Sequence, residues 1–158
     1  MKKAILNVAI VLILILSMTA CNQKEVVIDI DALVTDATAV AGFREQMYEI
    51  EEDVIINIYS KLEMNDLEKY RIFVNSTGGK ADELALLEAK SEEKAEAVYE
   101  AVKERIADLQ FAFDGYVPEE LKYIENAVVK KEGKYVLFAI SQNYDEVSKV
   151  FTNYIKGK

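Results

Sequence analysis

The chain has no histidine and a single cysteine in 158 residues. Without histidine there is no Ser-His-Asp or Cys-His nucleophilic site, no histidine-ligated zinc, and none of the commonest general base near neutral pH. One proline, Pro118, leaves no proline-rich linker, and no segment is of low complexity. Glycine is too sparse for a phosphate loop: Gly79-Lys80 is followed by Ala81, and no glycine stands at the required upstream position. Positive charge is also short, with 19 Lys+Arg against 28 Asp+Glu and a formal net charge of −9. Such acidity argues against a nucleic-acid partner and against lying flat on anionic lipid.

The lone cysteine has an informative place. Lys2 and Lys3 form a positive start, and Ala4 to Leu16 follow, apolar except for Asn7. That run has the length of a signal-peptide core and falls short of the roughly 20 apolar residues needed to span a bilayer. Ser17, Thr19 and Ala20 supply the small residues of a cleavage region, with Cys21 directly after them. This arrangement resembles the lipobox of bacterial lipoproteins, with Met18 where leucine is more usual. The resemblance implies cleavage after Ala20, a diacylglycerol on the Cys21 thiol, and acyl chains such as palmitate holding the protein to the membrane. Each buried methylene contributes about 0.8 kcal/mol, so two or more chains hold firmly. An uncleaved anchor or a buried free thiol is the competing reading. Asn22 is not aspartate, so nothing directs retention in an inner membrane.

The expected layout is therefore a signal peptide over 1–20, a lipidated tether over 21–25, and one extracytoplasmic domain over 26–158. Loss of the leader removes two lysines and leaves a net charge of −11. The tether reaches at most about 14 Å. A domain without disulfides rests on its core alone, which a chain of this size supplies by burying about two-thirds of its unfolded surface.

Apolar periodicity gives the elements. Asp29 reads as an N-cap, with Ile30, Leu33, Val34 and Ala37 on one helical face and Gly42 as the stop. "YEIEEDVIINIYSKL" suggests a short helix despite its β-branched residues, and Asn65 to Glu68 has capping-box spacing for one more helical turn. Strands are expected at Arg71–Asn75 and Leu84–Ala89 around Thr77-Gly78-Gly79, then at Ala127–Lys131 and Tyr135–Ser141 around Glu132-Gly133. Between these hairpins, Ala95, Val98, Val102, Ile106, Leu109 and Phe113 recur at three and four, predicting a helix from Glu92 to about Phe113 that Gly115 ends. Pro118 suits the start of a short helix, with Glu119 and Glu120 favoured by its dipole. Asn143 and Glu146 predict a capping box for a last helix that turns Val147, Val150, Phe151 and Tyr154 inward. The expected class is α+β: an antiparallel sheet of two β-hairpins with helices packed on one face, preceded by an N-terminal signal helix.

The segments "VNSTGGKADELALLEAKSEE" and "ENAVVKKEGKYVLFAIS", with Arg105, Phe111 and Tyr116-Val117-Pro118 between them, resemble the domain-of-unknown-function family four-three-five-eight. The likeness covers roughly Leu33 to Ser141. It implies a small envelope lipoprotein, of a kind found mainly in Gram-positive Firmicutes, and carries no activity or binding residues.

Four features bear on chemistry. Asp29 and Asp31 stand like the first ligands of a calcium loop, but Val34 and Val40 occupy the positions that need glycine and glutamate, so a helix cap is the better reading. Lys130, Lys131 and Lys134 cluster at a hairpin tip, where they read either as a polyanion contact or as protection of a strand edge. The loop Ser76 to Lys80 offers hydroxyls, backbone amides and a cation; Thr77, Gly78, Gly79 and Lys80 are the candidate binding residues, against a plain connecting turn. Among 28 acidic residues some pair will stand at glycosidase spacing by accident. No cofactor, metal or catalytic constellation is indicated. The expected function is a membrane-anchored binding or accessory module, with the membrane and an envelope protein or cell-wall component as partners. A carboxylate-based cell-envelope hydrolase is the alternative.

Overall fold

The computed structural model describes residues 27–158. The expected signal helix, the cleavage position Ala20 and the lipidation position Cys21 lie outside the described residues. The elements run α1 (Ile30–Ala41), β1 (Met47–Glu49), α2 (Glu52–Ile58), β2 (Leu67–Asn75), β3 (Glu83–Ala89), α3 (Glu92–Asp114), α4 (Leu121–Glu125), β4 (Val128–Glu132), β5 (Tyr135–Ile140) and α5 (Tyr144–Ile155). The strands form one antiparallel sheet in the order β1-β2-β3-β5-β4. The domain is α+β, with hairpin, helix, hairpin and helix in the expected order after α1, β1 and α2.

The expectation of helices on one face is corrected: they cover both. Side chains alternate across a strand, and β3 sends Ala85, Leu87 and Ala89 to one side and Leu84 and Leu86 to the other. β5 divides likewise, with Val136, Phe138 and Ile140 against Tyr135, Leu137 and Ala139. The first set packs with Val98, Val102, Leu109 and Phe113 of α3 and Ile55 of α2. The second packs with Ile30, Leu33, Val34 and Ala37 of α1 and Val147 and Phe151 of α5. Two apolar cores therefore share a sheet whose central strands β3 and β5 are buried on both faces.

Local chemistry fixes the element ends. Asp29 caps α1 by accepting from the Asp31 and Ala32 amides at 3.0 and 3.2 Å, and Ser91 caps α3 through the Lys94 amide. The capping-box spacing at Asn65 gives only a 3-10 turn over Met64–Asp66 before β2 begins. At Asn143 the capping box is not made. Its side-chain amide instead donates to the Val40 carbonyl at 3.0 Å, and its backbone N–H donates to Ala41 at 3.0 Å, tying the start of α5 to the end of α1. Gly42 ends α1 at φ +62, which favours glycine, and a Cβ there would stand 2.6 Å from the Asn143 Nδ2 and displace that amide.

Candidate functional site

Two acids, Asp82 just before β3 and Glu83 at its start, stand ahead of an apolar run. Both are buried, as is Glu120 in the turn before α4. Buried carboxylates need partners, and two arginines from distant parts of the chain supply them. Arg44, between α1 and β1, donates its backbone N–H to Asp82 Oδ2 at 2.9 Å and its Nη2 to Asp82 Oδ1 at 2.7 Å. The same guanidinium grips Glu120 through Nη1 and Nη2 at 2.9 and 2.7 Å, and lies 3.7 Å over the Tyr123 ring centroid. On α3, Arg105 donates Nε and Nη2 to the two oxygens of Glu83 at 3.1 and 2.8 Å. Tyr59, after α2, adds its hydroxyl to Glu83 Oε1 at 2.5 Å. Ion pairs with this two-pronged geometry are the strong kind.

The protonation states follow from these contacts. Burial works against charge on Arg44, but hydrogen bonds to Asp82 and Glu120 outweigh it and raise the guanidinium above its ordinary value. Burial likewise works against charge on Arg105, and the Glu83 carboxylate overrides it. Tyr59 is pushed well up, first by burial and then by the neighbouring Glu83 charge. For Glu120, burial raises the pKa, but the Arg44 hydrogen bonds and the Ala81 N–H at 2.9 Å bring it below the usual 4.5. The unfolded chain therefore binds a proton at Glu120 more readily than the native one. That contribution to stability is whole above about pH 4.5 and is lost as pH falls through the lower native value. Urea unfolding midpoints are expected to hold between about pH 7 and pH 5 and to drop below 4.5, with a shallower drop in Glu120→Gln. An equal drop in both proteins would remove Glu120 from the acid response.

The loop joining β2 to β3 holds the residues expected to bind. Its amides are largely spent: Thr77 N–H donates to Asn75 Oδ1 at 3.0 Å and Gly79 N–H donates to Thr77 Oγ1 at 3.2 Å. The Thr77 hydroxyl stands 2.7 Å from Glu45 Oε2, whose pKa the Thr77 and Asn75 hydrogen bonds lower. An anion nest at Thr77 and Gly79 is therefore closed. Gly78, at φ +67 with no atom near its missing Cβ, and Lys80 have a different setting: both line a cavity of about 240 Å³. Its apolar lining is Val54 and Ile58 of α2, Val74 of β2, and Leu109 and Phe113 of α3. Glu83 and Arg105 also line it.

The other candidates are placed as structure. Asp31 pairs with the cationic side chains of Lys69 at 2.6 Å and Arg71 at 2.5 Å. Lys130 donates to Thr152 Oγ1 at 2.9 Å, Lys131 pairs with Glu96, and Lys134 pairs with Glu88 at 3.0 Å, so the hairpin lysines tie elements together. Among the described residues no group of three or more Asp, Glu, His or Cys could hold a metal ion, and no helix is long and apolar enough to cross a membrane.

The chain enters the domain at the end opposite this site. Ile28 N–H donates to the Tyr135 hydroxyl at 3.0 Å, and Tyr135 opens β5. Glu83 pairs with Ile140 at the other end of that strand, about 17 Å away at 3.3 Å per residue. Sequence reasoning missed Arg44, Asp82, Glu83, Arg105 and Glu120 as a cluster. Two acids heading the all-apolar run Leu84 to Leu87 were the available signal, since a strand buried on both faces takes its first residues inside with it.

No curated protein and no solved structure matches the chain. The family described as Domain of unknown function (DUF4358) matches residues 39–141, which takes in Arg44, the β2–β3 loop, the cavity lining and Glu120, and by that match over well more than half its length the chain belongs to this family.

Proposed function

We propose that the protein is an extracytoplasmic lipoprotein, anchored through Cys21, whose folded domain presents the cavity beside Lys80 as a binding site for another envelope component. The observation that carries this reading is the opposition of the two ends. The described chain begins beside Tyr135, while the cavity and its ion pairs lie at the far end of β5. A short tether then orients the site outward without a basic docking patch.

The hydrolase alternative is disfavoured by the partners of the buried acids. A general acid must hold its proton near neutral pH, which needs a raised pKa. Glu120 is shifted the other way, and Asp82 and Glu83 each face an arginine in two-pronged contact.

Acyl labelling in growing cells tests the anchor. Wild type is expected to incorporate label and partition with membranes, whereas Cys21→Ala accumulates as precursor or is released; an unlabelled wild type overturns the location. Crosslinking from intact cells tests the site. Capture of a partner is expected to fall when Gly78 and Gly79 are replaced by bulky residues; the space at Gly78 is open but its φ of +67 strains any side chain, so the unfolding midpoint is measured alongside to confirm that the sheet stays folded. Hydrolysis of wall glycan abolished by one Asp or Glu substitution would overturn the binding reading.

A further inference from the structure

We propose that the cavity between α2 and α3 binds a small amphiphilic anion: an apolar group about the size of one phenyl ring, carrying a carboxylate that meets Lys80. The inference rests on the binding reading of this end of the domain and names the chemistry of what is bound.

Size sets the apolar part. A cavity of about 150 Å³ lined by Leu, Ile and Phe admits benzene. The space here is about 240 Å³, with Val54, Ile58, Val74, Leu109 and Phe113 around it. That accommodates one ring or a branched aliphatic group with a short polar head. Pockets of this kind gain affinity from the apolar walls and orientation from a few polar groups.

Charge sets the polar part. Glu83 already accepts from Arg105 and from Tyr59, and is 2% exposed. Asp82 accepts from Arg44 on both oxygens. These carboxylates have little capacity left for a ligand cation, and Arg105 repels one. Lys80 differs. Among the described residues its one close partner is Glu120 Oε1 at 3.5 Å, an oxygen that Arg44 already holds at 2.9 Å. Its side chain is 36% exposed, so it is the least committed cation at the cavity. An anionic head gains a partner there without breaking either arginine pair.

The probe is 3-phenylpropionate, titrated against full-length protein in lipid nanodiscs and read from the methyl resonances of Val54 and Leu109, with empty discs as the partition control. Saturable shifts are expected. The neutral 3-phenylpropanamide is expected to bind at least about fivefold more weakly, equivalent to about 1 kcal/mol. Lys80→Gln should weaken the acid to the level of the amide while leaving the amide unchanged. Val54→Trp, at a partly exposed position, should abolish both without lowering the unfolding midpoint much. A second arm uses a short peptide ending in a phenylalanine carboxylate. Tighter binding than the free acid assigns the ligand to a chain terminus, and weaker binding assigns it to a free small acid. No saturable shift up to about 10 mM, or equal binding of acid and amide, overturns the proposal. Acyl labelling of Cys21 is independent of this cavity, so a silent cavity on a labelled protein rejects the ligand and leaves the anchor standing.

Discussion

Arg44→Ala is expected to lower the unfolding free energy by about 3–5 kcal/mol, the usual cost of removing one partner from a buried ion pair. The reason lies in what remains. Asp82 and Glu120, 1% and 2% exposed, would be left in the interior without the guanidinium that compensates both. Against a typical total of 5–15 kcal/mol, such a loss leaves the protein marginal. Urea denaturation at neutral pH measures it directly. Arg44→Lys should fall between, because an ammonium keeps the charge but cannot hold two carboxylates in a planar fork. Adding Glu120→Gln to Arg44→Ala should restore part of the loss by removing one stranded charge. If Arg44→Ala unfolds at the wild-type midpoint, the cluster is solvated and the account of this end of the domain is wrong.

Val102→Asp is the second large effect. Val102 is fully buried on α3, in the core that includes Val98, Phe138 and Ile72. An aspartate there would meet only apolar neighbours, at a cost of several kcal/mol. Soluble expression or a cooperative unfolding transition is expected to be lost. Glu100→Ala on the same helix provides the contrast. Its exposed side chain pairs only with Lys103 one turn on, so the change should stay within about 0.5 kcal/mol. A folded Val102→Asp protein of normal stability would show that α3 does not form this core.

These two variants also divide what sequence could and could not reveal. The Val102 face was legible because a helix repeats its buried positions every three or four residues, and Ala95, Val98, Val102, Leu109 and Phe113 keep that interval. The hairpins were legible from apolar runs and turn glycines, and Gly133 does take a positive φ. The coverage of both sheet faces was present in the sequence but misread: Leu84-Ala85-Leu86-Leu87 and Tyr135 to Ile140 show no alternation, as strands apolar on both sides must. β1 gave no signal. It has three residues, none buried, and is held by its ladder to β2 and the Glu49–Arg71 ion pair. The site was half legible. Gly78 and Lys80 stand out as a loop, whereas Arg44, Arg105 and Glu120 meet Asp82 and Glu83 only through tertiary folding, so no local spacing announces them. The Asn143 box failed for the same reason, since the end of α1 claims the side chain.

The sheet margins have a consequence for crowding. Proteins tethered to one plane meet one another far more often than free ones, and exposed strand edges are where such encounters become stacks. Here one margin is β1, only three residues long and carrying Glu49 beside Arg71. The other is β4, with Lys130 and Lys131 at its centre and Glu132 at its end. A neighbour adding a strand at β1 would gain only a short ladder, while the β4 lysines are held over the sheet faces by α5 and α3. A margin this short at β1 thus limits zipping of the domain to its own copies.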